Sequence, residues 1–141
     1  MRRWVLAAAA AVALGGCSAD IATFSEQRDM AARWEAQNIA PANYKADLIA
    51  YMRIYLNNPE HVRSASLSPP QLRTVGPGQR FVTCVQFDAR DSLGKYMGVK
   101  VGAAVYVSGK LDQFIDRPKE AREICKDAAY APFPELEKLT R

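Results

Sequence analysis

The stretch Phe81-Val82-Thr83-Cys84-Val85-Gln86-Phe87-Asp88, followed by Val99-Lys100-Val101-Gly102-Ala103-Ala104-Val105-Tyr106-Val107, decides the fold. In the first segment Phe81, Thr83, Val85 and Phe87 alternate with Val82, Cys84, Gln86 and Asp88. In the second, Val99, Val101, Ala103, Val105 and Val107 alternate with Lys100, Gly102, Ala104 and Tyr106. A period of two places successive side chains on opposite faces of a pleated strand. Asp88 to Gly94 reads as a polar connection, and Ser108-Gly109 turns the chain into a shorter strand near Leu111 to Ile115. Three consecutive strands with short connections predict an antiparallel meander. His61 to Leu67 is a candidate fourth strand. A loop rich in breakers, Ser68-Pro69-Pro70 and Gly76-Pro77-Gly78, separates it from the meander.

Helical patterns flank these strands. Ser25 is a suitable N-cap for a helix running to about Gln37, with Met30, Ala31 and Trp34 at helical spacing. Pro41 and Asn43 open a second helix. There Tyr44, Leu48, Ile49, Tyr51, Met52, Tyr55 and Leu56 form a wide apolar face, and Asn57-Asn58-Pro59 ends it. Its three tyrosines read either as core packing with hydroxyls at the edge or as a ligand or partner surface. Asp116 and Pro118 start a last helix with Ala121, Ile124, Cys125 and Ala128 on one stripe. The tail Tyr130-Ala-Pro-Phe-Pro is hostile to helix but apolar, so it should lie across the body. The expected class is α+β: a three- to four-stranded antiparallel meander packed with two N-terminal helices and one C-terminal helix.

The chain has 141 residues, 49% hydrophobic and 24% charged, which suits one globular domain and excludes wholesale disorder. Its net charge is +4. Arg2 and Arg3 supply two of those charges, and the remaining basic residues are scattered, so nothing supports nucleic-acid binding.

The N-terminus has the order of a secretory signal. Met1-Arg2-Arg3 precedes an apolar run of 11 residues, Trp4 to Leu14, and then Gly15-Gly16-Cys17-Ser18. A run that short does not span a bilayer, which needs about 20 apolar residues. Leu14-Gly15-Gly16-Cys17 resembles the lipobox of bacterial lipoproteins. The resemblance implies cleavage before Cys17, a diacylglyceryl thioether on its sulfur, acylation of its amine, and attachment to the lipid bilayer. The alternative is cleavage by an ordinary signal peptidase near Gly16 or Ala19. In the lipoprotein family Asp after the Cys often retains the protein in the inner membrane; Ser18 resembles the outer-membrane class, facing the periplasm. The expected organisation is a signal at 1–16, a lipidated tether at 17–24 and one periplasmic domain at 25–141.

With Cys17 lipidated, Cys84 and Cys125 remain in an oxidising compartment, where a disulfide is the economical outcome. It would close a loop of about 40 residues, worth about 3–4 kcal/mol, and pin the last helix to the central strand. The alternative, a reactive or metal-binding pair, lacks a C-x-x-C motif and has only His61 as a possible imidazole partner. No catalytic residue, metal or cofactor is expected. A His-based triad is improbable with one His, and Asp88, Asp91, Asp112 and Asp116 read as turn and cap residues.

A second resemblance covers about 45 residues. Asn58-Pro59-Glu60-His61-Val62-Arg63, then Cys84-Val-Gln-Phe-Asp-Ala-Arg-Asp-Ser-Leu-Gly-Lys-Tyr-Met-Gly98, resembles a pattern in small exported bacterial proteins of undefined role. Asn58, His61, Asp88 and Asp91 depart from that pattern, which otherwise has Asp, Ser and two Asn. It supplies no activity, but its Gly94-x-Tyr96-x-Gly98 element suits a hairpin turn with a packed aromatic. The architecture also broadly resembles the small lipoprotein of the outer-membrane barrel-assembly machine, though none of that protein's motifs is present. The leading expectation is a non-catalytic lipoprotein that binds another envelope protein in an assembly or structural role. The alternative is a periplasmic ligand binder or enzyme inhibitor.

Overall fold

The computed structural model describes residues 18–140. The expected signal and the lipidation residue Cys17 lie outside them. The elements run α1 (Ser18–Ala36), α2 (Tyr44–Tyr55), β1 (Asn58–Leu67), β2 (Gln71–Val75), β3 (Gly78–Arg90), β4 (Tyr96–Val107), β5 (Lys110–Ile115), α3 (Pro118–Ile124), β6 (Ala131–Pro132) and α4 (Pro134–Glu137). The class is α+β, and the described residues form a six-stranded antiparallel sheet in the order β5-β4-β3-β1-β6, with β2 also paired to β3.

The two alternating segments form β3 and β4, paired from Phe81↔Tyr106 to Asp88↔Val99. Ser108 and Gly109, both at positive φ, turn β4 into β5. The meander is therefore β3-β4-β5, and β1 joins it on the far side of β3. The breaker-rich loop also contains a strand, because Gly76 (φ 61) and Pro77 close a two-residue hairpin between β2 and β3. Beyond α3 the tail adds β6 to the edge of β1 and then a one-turn helix, so two helices rather than one follow the sheet.

Helices cover both sheet faces. On one, Leu48 and Met52 from α2 and Phe133, Leu136 and Leu139 from the tail bury against Val62, Leu67, Val85, Phe87, Ala104 and Tyr106. On the other, Ala121 and Cys125 lie over Val82, Cys84, Ala103, Val105 and Ile115. Cys84 is bonded to Cys125, with Cα atoms 5.7 Å apart.

Helix α1 starts at Ser18, so positions 18–24 of the segment expected as a tether are helical. Positions 23–33 are exposed. The helix is held at its last turn, where Arg80, 5% exposed, donates to the Trp34 carbonyl at 2.8 Å and to Gln37 Oε1 at 2.9 Å. The guanidinium stacks 3.5 Å from the Trp34 ring centroid, and the indole N–H donates to the Gln79 carbonyl. Gly78 is required beneath that indole, since any side chain would collide with it.

Candidate functional site

The apolar face of α2 is divided between two tasks. Leu48, Met52 and Leu56 enter the core, as their spacing predicts. Tyr51 and Tyr55 instead lie at the core's margin with Phe114 of β5, their ring centroids 5.0 to 5.5 Å apart. The Tyr55 hydroxyl donates to Asp116 Oδ2 at 2.7 Å. Burial, then the hydrogen bond to Asp116, pushes the Tyr55 phenol well above its ordinary range. Burial also raises Tyr51, with the Asp116 charge adding to it.

Tyr55 and Phe114 form one wall of a cleft of about 500 Å³. Its lining also includes Phe87, the run Val99-Lys100-Val101-Gly102, and Asp116, Arg117, Pro118 and Arg122. Phe114 lies directly over Gly102, where a Cβ atom would overlap its ring. Three cations therefore surround a site whose one lining carboxylate already accepts the Tyr55 hydroxyl; Arg117 also pairs with Glu120. The arrangement suits binding of an anionic group beside an apolar one.

The residues of the 45-residue pattern meet elsewhere, at the junction of β1 with the β3–β4 turn. Buried Asp88 accepts Arg63 Nε at 2.9 Å through one carboxylate oxygen and the Gly98 N–H at 2.9 Å through the other. Arg63 lies 3.7 Å from the Tyr96 ring centroid, and the Tyr96 hydroxyl donates to the His61 carbonyl at 2.7 Å. Asp91 accepts the N–H groups of Leu93 and Lys95, closing the turn. The cluster explains the pattern as a lock between strands. His61 enters it through its carbonyl, on a backbone at φ 60. Asp88 is a correction: it is a buried residue inside β3 rather than a turn residue. Asp112 is exposed on β5 and belongs to neither cluster.

Among the described residues, no group of three or more His, Cys, Asp or Glu could hold a metal ion, and no helix is long and apolar enough to cross a membrane. Phe114, Gly102, Arg117 and Arg122 were missed as site residues. The periodic sequence places Gly102 and Phe114 on strands and Arg122 on a helix, but no local signal shows that β5 stops short of the first half of β4. Comparison with protein families, curated proteins and solved structures finds no match.

Proposed function

We propose that this chain is an exported bacterial envelope lipoprotein, anchored in the outer membrane through acylated Cys17, whose domain binds another envelope protein and carries no catalytic activity. The observation that carries the reading is how the fold occupies its reactive side chains while leaving the cleft open. Cys84 holds Cys125, Asp88 holds Arg63 and the Gly98 N–H, and Asp116 holds Tyr55. The cleft keeps an exposed, cationic, aromatic surface beside them. The 19 residues of α1 span about 28 Å, so an anchor at Cys17 would present the domain away from the lipid rather than on it.

Two or more acyl chains make attachment effectively permanent, since each buried methylene contributes about 0.8 kcal/mol. Cys17→Ser should therefore leave an uncleaved or soluble precursor that no longer partitions with detergent. Unchanged membrane fractionation of that variant would refute the anchor. Pull-down from detergent-solubilised membranes tests the binding role. A stoichiometric membrane protein supports it, whereas recovery of a periplasmic hydrolase or a small ligand moves the assignment to an inhibitor or ligand binder.

A further inference from the structure

We propose that the open edge of β4 at residues 99–101, ending at buried Gly102 beneath Phe114, takes up an extended, acidic and apolar segment of the partner as an added strand. The proposal rests on the protein-partner reading above and states where the partner is gripped.

Val99, Lys100, Val101 and Gly102 all line the same cleft. Side chains alternate faces along a strand, so a cavity touching four consecutive residues lies against the strand's edge rather than on a face. β5 covers that edge only from Ala103 to Val107, ending with Ile115 opposite Ala103. The chain then leaves through Asp116-Arg117-Pro118 into α3. Before Ala103, β4 pairs with β3 on one side and, among the described residues, with no strand on the other. Such an edge presents backbone donors and acceptors at strand spacing, which another extended backbone matches.

The window has defined ends. Gly98, at φ 92 and beside a register break in the β3–β4 ladder, interrupts the strand before Val99. Pro118 closes the other side. Outer strand β5 shields its own edge with exposed Lys110, Asp112 and Gln113, a common way of preventing strand addition. The β4 window instead leaves Val99 60% exposed and Met97, just before it, 44% exposed. Tyr55, Phe87 and Phe114 offer an aromatic wall for an apolar side chain. Lys100 and Arg122 call for carboxylates flanking it, while Arg117 is already paired with Glu120. A small anion would satisfy the cations but leave the backbone edge unmatched, so the observations favour a peptide.

The test titrates the full chain with a fluorescein-labelled, end-blocked peptide, Glu-Val-Phe-Val-Glu. Saturable binding is expected, with slowed hydrogen exchange at the amides within residues 99–101 that face away from β3. Binding should weaken about tenfold or more in the Lys100→Glu, Arg122→Glu double variant and for the backbone N-methylated peptide. Both substituted side chains are exposed, and circular dichroism with an intact disulfide verifies the fold. No saturable binding up to about 1 mM, or equal binding by the double variant or the methylated peptide, overturns the proposal. In cells, a photocrosslinking residue at Val99 should capture an acidic and apolar segment of another envelope protein. Adducts formed only from Ile54, 88% exposed on the outer side of α2, would overturn strand addition and leave protein partnership standing. No adduct from either position would overturn the partner reading itself.

Discussion

The two faces of the sheet are held by different means. The face under α2 and α4 buries large side chains: Leu48 and Met52 of α2, Tyr106 of β4, and Phe133 and Leu136 of the tail. The face under α3 is built mainly from small ones, Val82, Ala103, Val105 and Ala121, and its covering helix has only seven residues. A helix of that length has little stability of its own and little surface to bury. The Cys84–Cys125 bond lies at its end, joining it to the central strand. Packing secures one face, and a covalent staple compensates for thin packing on the other.

Three measurements test that contrast. Phe133→Ala removes a fully buried ring from the large face and should cost about 3–5 kcal/mol in urea unfolding. A loss much smaller than that of the disulfide variant would invert the comparison. Replacing Cys84 and Cys125 together with Ala should cost about 3–4 kcal/mol, with hydrogen-exchange protection falling first in α3. A double variant that melts like the oxidised parent would mean that packing alone secures this face.

The third concerns alkaline pH. Burial pushes the Tyr106 phenol up to about 12, and Tyr51 and Tyr55 on the same face are raised as well; Tyr130 is the raised phenol on the other. A phenol harder to ionise in the fold than in the unfolded chain adds stability that is complete below about pH 10. That stability is lost as pH rises through the folded value. Melting temperature should therefore fall from pH 10 upward. Tyr106→Phe should recover about 1–2 kcal/mol of the alkaline loss, and Tyr130→Phe less. An identical pH profile for Tyr106→Phe and its parent would remove the large face from this account.

The meander was legible because β3 and β4 keep an uninterrupted period of two. β1 was only faintly so, and the reason is geometric. His61 and Ser64 adopt positive φ, and the register shifts on either side of Arg63. Pro59, Val62 and Ala65 are therefore buried at every third position, before Leu67 restores the strand spacing, a pattern that reads as helix or as nothing. β2 was hidden between proline and glycine breakers that serve as the ends of a hairpin. β6 and α4 are too short to show any period. The disulfide was readable from the count of thiols and the stripe containing Cys125. The cleft was not, because it depends on where β5 stops relative to β4, a relation between strands that neither carries alone.

The clamp around Arg80 has a mechanical consequence. Helix α1 joins the body through Trp34, Gln37 and Asn38 at the start of β3, and the Gln37 carbonyl also accepts the Ser108 N–H of the β4–β5 turn. A tug arriving along α1 is thus delivered to the strand that β1, β2 and β4 all share. Such a load would be shared by three ladders at once rather than peeling one strand from an end.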